Sequence, residues 1–147
     1  YTPNKNNNHP ILTLFTMNSI LDHITEIILL LFLAITFLQS GLDKILDWKG
    51  NINWLKSHFS KTFMANMVEV NVAIILILET IAGLLAIIGI YQLLVNDNAS
   101  LGFYASILSA ITLLLLLFGQ RVAKDYDGAR TIVIYLIPTL FTLYILQ

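Results

Sequence analysis

Residues 70–96 read VNVAIILILETIAGLLAIIGIYQLLVN and decide the fold of this chain, because these 27 residues carry a single charge, that of Glu79. An α-helix of about 20 apolar residues is long enough to cross the hydrocarbon core of a bilayer. The small residues Ala82, Ala86 and Gly89 recur within the stretch, which is typical of a helix face that packs closely against another membrane helix. The stretch therefore predicts a transmembrane helix with one acidic residue inside the membrane.

Three further apolar blocks have the same character, at residues 27–42, 98–120 and 131–147. The two shorter blocks reach the length of a span when flanking charged residues are placed at the membrane surface. Only 12% of the chain is charged, about half the share that is usual for soluble domains. Lipid admits only helices and closed barrels, and the alternating pattern of a barrel strand does not occur in these blocks. All four blocks are therefore expected to be helices.

The sequence thus predicts an all-α membrane protein with four transmembrane helices in an antiparallel bundle. The expected spans cover about residues 22–44, 69–95, 99–120 and 128–146, within a membrane domain of residues 19–147. Residues 1–18 begin with an Asn-rich polar segment, and we expect them to form a flexible tail. The first apolar block lacks a small-x-small cleavage site, so it is expected to remain as a span and not to be removed as a signal peptide.

The link between the first two spans is amphipathic. Trp48 and Phe59 belong to a series of apolar residues at near-helical spacing, and lysines such as Lys49 and Lys56 lie between them. Tryptophan and lysine together are typical of a helix that lies in the membrane interface. We therefore predict an interfacial helix with Trp48 and Trp54 as its anchors. The alternative is a groove that binds a partner protein.

Basic residues are concentrated at one end of the predicted bundle. Seven of the eight Lys and Arg residues, among them Lys44, Arg121 and Lys124, lie in the first and third links. Cytoplasmic loops carry an excess of Lys and Arg, so we expect both links inside the cell and both termini on the outer, periplasmic side. Asp127 is expected to cap the fourth span, because the N-terminus of a helix favours negative charge.

Glu79 is the most informative polar residue of the predicted spans. Counted from the basic end at about 1.5 Å per residue, Glu79, Thr36, Thr112 and Tyr135 all lie about 10 to 14 Å deep, and Gln39 lies one turn nearer that end. One interpretation is a structural layer in which a protonated Glu79 donates a hydrogen bond to Tyr135, Thr112 or Gln39. The other is a proton or quinone site, in which Glu79 exchanges a proton and Gln39 or Tyr135 orients a carbonyl.

Several kinds of chemistry are excluded or disfavoured by composition. The chain has no cysteine, which removes disulfides, thiolate nucleophiles and iron–sulfur clusters. Its histidines stand at positions 9, 23 and 58, none in the middle of a span, which disfavours a haem held by two histidines. No cofactor motif is evident, so a quinone is the one cofactor that the second interpretation would use. The expected partners are the lipid bilayer and other membrane-protein subunits, and no basic patch for nucleic acid is visible.

Three segments resemble the DoxX-like family of small four-helix integral membrane proteins. They are FLQSGLDKI at residues 37–45, LETIAGLLAIIG at residues 78–89 and QRVAKDYDGA at residues 120–129. The resemblance covers roughly residues 27–146, and four residues match the family's pattern: Gly41, Lys44, Glu79 and Gly83. It implies a four-helix fold and a redox neighbourhood, because some relatives are membrane subunits of thiosulfate:quinone oxidoreductases and others help periplasmic dehydrogenases to mature. It implies no settled catalytic role for these four residues.

Taken together, these features favour an accessory or structural subunit of a larger membrane complex of respiratory or redox type, in a bacterial cytoplasmic membrane, without catalysis of its own. The alternative is a membrane subunit of a quinone-linked oxidoreductase that uses Glu79. A small-solute carrier is the third interpretation, ranked last because no inverted repeat or broken helix pair is evident.

Overall fold

The computed structural model describes residues 20–147, and the tail predicted over residues 1–18 lies outside the described residues. The described part is helical and contains no strand. The helices, with labels used from here on, are α1 (Ile24–Leu46), α2 (Trp48–His58), a short 3₁₀ helix (Ala65–Met67), α3 (Val68–Asn96), α4 (Ser100–Val122) and α5 (Tyr126–Leu146).

The four helices α1, α3, α4 and α5 are long and apolar enough to cross a membrane. Their lengths are 23, 29, 23 and 21 residues, against the roughly 20 that a bilayer requires. This confirms the expected all-α bundle of four spans. Each boundary lies within two residues of its predicted position, because the change from apolar to charged sequence marks the helix ends clearly.

The spanning helices run alternately up and down. α1 packs on α3, α3 on α4 and α4 on α5, whereas α1 and α5 contact each other only lightly. At one end, which we call the turn end, His23 contacts Asp97 of the α3–α4 turn at 2.8 Å. At the opposite, basic end, His58 of α2 lies 3.4 Å from Gln120 of α4. The light contact between α1 and α5 leaves a seam along one side of the bundle.

Small residues bring α3 and α4 together almost backbone to backbone. A Cβ atom built on Gly89 would lie only 2.7 Å from the Cα of Gly102. Ala82, Ala86 and Ala105 are fully buried at the same interface cluster. Close approach of this kind is how helices associate in lipid, where no hydrophobic driving force acts between them. The small-residue face predicted for the second span is therefore a packing surface.

The predicted helix between the first two spans is present as α2. The side chain of Asp47 caps it by accepting a hydrogen bond from the Gly50 amide at 3.1 Å. On its inner face α2 buries Ile52 against α3, with Trp48 partly buried in the same cluster. Trp54 is exposed. The two tryptophans thus differ in surroundings, and their anchoring in the membrane interface stays a prediction.

The link between α4 and α5 shows that the residue predicted to cap α5 is wrong. Asp125, not Asp127, caps α5, because its carboxylate accepts a hydrogen bond from the Gly128 amide at 2.8 Å. Lys124 has a left-handed backbone with φ of 59°, which turns the chain sharply and starts α5 two residues earlier than predicted. Asp127 lies in the first turn, 88% exposed, and pairs with Arg130 at 3.0 Å.

Candidate functional site

The centre of the candidate site is a buried ion pair between α3 and α1. The Glu79 side chain is 1% exposed, and the Nζ of Lys44 lies 2.9 Å from its Oε2 and 3.1 Å from its Oε1. Ser40 Oγ donates a hydrogen bond to Oε1 at 3.0 Å and accepts one from Lys44 Nζ at 2.8 Å. Only Oε1 is hydrogen-bonded with good geometry, so Oε2 is held by charge alone. The carboxylate is therefore fixed entirely by two side chains of α1.

The local sequence of α1 explains how this pair forms. Ser40 and Lys44 are four residues apart, so they lie on the same face of the helix, one turn above the other. Gly41 lies between them and permits close approach, since a Cβ there would be 3.3 Å from Thr80 Oγ1 on α3. The long Lys44 stem then carries the ammonium back from the basic end to the carboxylate. Lys44 itself is 17% exposed.

These partners differ from the ones expected for Glu79. The sequence predicted that Glu79 donates to Tyr135, Thr112 or Gln39, and instead it accepts from Lys44 and Ser40. Thr112 is fully buried but donates to the Leu108 carbonyl of its own helix at 2.8 Å. Depth counted in residues along a helix locates the backbone only. It therefore does not reveal that the Lys44 side chain extends back by about one turn to reach Glu79.

Two residues thus gain a role that the sequence did not assign to them. Lys44 was expected to set topology at the end of the first span, and it also forms the ion pair. Ser40 was not among the predicted site residues. The signal that would have found both is their spacing of four residues, with a glycine between them, opposite a span that contains a single acid.

The ion pair borders a cleft of about 450 Å³ in the seam between α1 and α5, which we call the α1–α5 cleft. Its polar wall consists of Thr36, Gln39, Ser40, Asp43, Glu79 and Tyr135. Its apolar wall consists of Phe32, Ile35, Phe37, Leu113, Leu116 and Ile132. Four of the five predicted layer residues line this cleft, and Thr112 does not. The predicted polar layer therefore exists mainly as one wall of a cleft.

The lining of the α1–α5 cleft combines several chemical groups, among them the carboxylate of Glu79 and the amide of Gln39. The ring of Tyr135, which also lines the cleft, lies 6.2 Å from that of Phe32, measured between centroids, and Tyr135 is exposed. Amide, phenol and carboxylate groups can together donate to a carbonyl and accept from a hydroxyl. The cleft can thus form hydrogen bonds with a small ligand that carries oxygen atoms.

A second polar cluster connects α2 with the α4–α5 link at the basic end. His58 Nε2 lies 3.6 Å from Asp125 Oδ2, and the His58 ring stacks on Trp54 with centroids 4.8 Å apart. Arg121 lies over the ring of Tyr126, 4.9 Å from its centroid. These contacts hold the basic end together. The topological role of Arg121 and Lys124 stays a prediction.

No model of a known family, no curated protein and no solved structure matches this chain. The resemblance to the DoxX-like family is thereby neither confirmed nor refuted.

Proposed function

We propose that this protein is an accessory subunit of a larger membrane complex, and that it holds the polar head group of a quinone-class molecule in the α1–α5 cleft. The observation that carries the proposal is the Glu79–Lys44 pair, buried within the spanning helices and bordering that cleft. Ionisable residues inside membrane spans are costly, and by default they indicate a functional site. This proposal joins the accessory role with the quinone-linked alternative from the sequence.

The size and chemistry of the cleft support a ligand of this class. Its volume of about 450 Å³ falls in the range of small-molecule sites, about 300–1,000 Å³. A quinone head group presents carbonyl oxygens when oxidised and hydroxyl groups when reduced. Tyr135 can donate to the former, and Glu79 can accept from the latter. Entry from lipid would pass between α1 and α5, the two helices that form the seam.

The side chains at the cleft indicate which steps this subunit would perform within the complex. They can bind a head group, orient it and exchange a proton at Glu79. Electrons would be supplied by a partner subunit, which is why the proposed role is accessory. Cross-linking in native membranes followed by mass spectrometry is expected to identify redox proteins beside this chain, and cross-links that join only copies of the chain would contradict this role.

The binding experiment uses the purified protein in mild detergent and a short-tailed quinone analogue. Glu79→Gln keeps the shape of the side chain and removes its charge, and we expect it to weaken binding about tenfold, as loss of a charge-assisted hydrogen bond does. Thr112→Val is the matched control, because Thr112 is buried in the same layer but does not line the cleft. Absence of binding to the unaltered protein, or equal binding by the Glu79→Gln variant, would contradict the proposal.

A second candidate role is purely structural, and one observation favours it: Glu79 takes all its described contacts from α1. In that case the pair fixes the register of α1 against α3. Glu79→Gln would then lower the melting temperature and leave binding of the analogue, per folded molecule, unchanged. The two measurements made on the same samples separate the two roles.

A further inference from the structure

A second cavity, of about 480 Å³, lies beneath α2 at the basic end, and we call it the α2 groove. Leu116 lines both this groove and the α1–α5 cleft, so the two spaces adjoin, and Lys44 of the ion pair lines the groove. Its walls are mostly apolar and come from α2, α3, α4 and the segment after α2, with Lys44 contributed by α1; the apolar part includes Trp54, Phe59, Ile75, Leu115 and Phe118. The groove is therefore a separate space that the proposed quinone site does not use.

The groove opens on the lipid-facing surface. Ile74, Leu115 and Phe118 line it and are also exposed large apolar residues of the spanning helices α3 and α4. Exposed apolar side chains on spanning helices face hydrocarbon in a bilayer. An occupant would thus reach the groove from lipid, and the part of it that lies inside must be apolar.

Two basic residues are sequence neighbours of residues that line the groove. Lys61 lies between Phe59 and Met64, which both line the groove, and Arg121 directly follows Gln120, which also does. Within residues 20–147, neither Lys61 nor Arg121 has a carboxylate within ion-pair distance, whereas Lys56 is paired with Glu69. Basic residues beside a spanning helix attract anionic lipid head groups.

We propose that the α2 groove binds one acyl chain of an anionic phospholipid, whose head group lies against Lys61 and Arg121. The apolar walls accommodate the chain, and Lys61 and Arg121, which form no ion pair with a carboxylate of residues 20–147, complement the head group. Because the groove is formed by α2, α3 and α4 together, the bound lipid would hold α2 against the bundle. The proposal does not rest on quinone binding in the adjoining α1–α5 cleft.

The chain offers well-matched variants for testing this site. A Cβ atom on Gly119 would meet only Phe59 Cζ, at an ordinary 3.7 Å, so Gly119→Ala is a control that changes little. Gly119→Leu places a larger side chain into the groove and fills part of it. The double substitution Lys61→Gln/Arg121→Gln removes both positive charges without touching the core, since both residues are exposed.

Fluorescence of Trp54 is a direct probe, because this residue lines the groove and Trp48 does not. The chain has two tryptophans, so Trp48→Phe leaves Trp54 as the only one, and this protein is placed in phosphatidylcholine vesicles. Phosphatidylglycerol with brominated acyl chains is expected to quench Trp54 roughly twofold or more above brominated phosphatidylcholine at the same mole fraction, as basic residues favour anionic lipid.

The variants test whether the excess quenching of Trp54 comes from lipid bound in the α2 groove. Gly119→Leu and the double charge variant are expected to lose the excess quenching, and Gly119→Ala to keep it. Equal quenching by the two brominated lipids would mean ordinary contact with bulk lipid and would overturn the proposal. Quenching by neither lipid would mean that a second copy of the chain or another protein covers the groove, and would also overturn it. The exposed charge variant keeps the test decisive even if Gly119→Leu fails to fold.

Discussion

At the scale of single residues, the Glu79 carboxylate and the Lys44 ammonium are 2.9 Å apart inside the bundle. A buried ion pair adds little net stability compared with apolar residues of similar size, because both charges lose their hydration. Removal of one partner is different, since the other charge is then buried without compensation. The effects of substituting Glu79 and Lys44 on the free energy of unfolding should therefore not add up when both are substituted together.

We expect Glu79→Leu and Lys44→Met, made singly, each to lower the free energy of unfolding by about 3 kcal/mol. The double variant Lys44→Met/Glu79→Leu is expected to lose clearly less than the sum of the two, because no unpaired charge remains. Thermal unfolding of the four proteins in the same detergent measures this. A loss in the double variant equal to the sum would show that the two side chains do not act as a pair.

The cap of α5 gives a second test at this scale. Asp125→Ala should destabilise the protein by about 1 kcal/mol, the usual effect of losing a capping carboxylate. Asp127→Ala is the control two residues away; the Asp127 side chain is 88% exposed and forms a surface ion pair with Arg130, so little change is expected. Chemical denaturation curves compare the two, and a larger effect at Asp127 would reinstate the cap predicted from the sequence.

Sequence reasoning identified Glu79 because a lone carboxylate in an apolar span is conspicuous. It did not identify Lys44 as the partner: the spacing of Ser40 and Lys44 hints at a shared face, but the reach of a flexible stem depends on how closely α1 approaches α3 at Gly41. The cap was wrong for a related reason. The left-handed φ of Lys124 that advances the start of α5 has no signal in a sequence where glycine is absent from that position.

At the scale of helices, α3 and α4 come together almost backbone to backbone at Gly89 and Gly102. Gly89→Val would place a Cβ 2.7 Å from the Gly102 Cα, a distance that forces the backbones apart. We expect a loss of about 2 kcal/mol or more in the free energy of unfolding, as for other overpacked interfaces. Gly119→Ala is the control, because its Cβ finds only ordinary contact. Equal melting temperatures for the two variants would contradict the close packing.

The helices themselves were well predicted, since long apolar blocks separated by charged links leave few alternatives. Their antiparallel order followed from the two short links that join α3 to α4 and α4 to α5, and from the basic residues shared by the first and third links. The seam between α1 and α5 was not predictable, because the sequence does not show how closely the first and last spans pack against each other. Of the four cleft residues, Thr36, Glu79 and Tyr135 were predicted to share a depth and Gln39 to lie one turn nearer the basic end, but no shared cleft was predicted.

At the scale of the whole molecule, the two ends of the bundle should lie on opposite sides of the membrane. The chain contains no cysteine, so single cysteines report their own position without background. With a membrane-impermeant maleimide, Asn96→Cys at the turn end is expected to react in intact cells, and Lys49→Cys at the basic end only after permeabilisation. Both positions are exposed. The reverse pattern would invert the predicted orientation, and reaction of both from one side would contradict the spanning bundle.

The light contact between α1 and α5 has a consequence for assembly during synthesis. Every extensive contact in the bundle joins spanning helices that follow one another in the chain, so each new helix can dock on the one inserted before it. The Lys44–Glu79 pair can thus form as soon as α3 is in place. The cleft beside it is completed only when α5, the last helix, brings Tyr135 and Ile132. Ligand binding at that cleft would therefore distinguish a finished chain from every intermediate that precedes it.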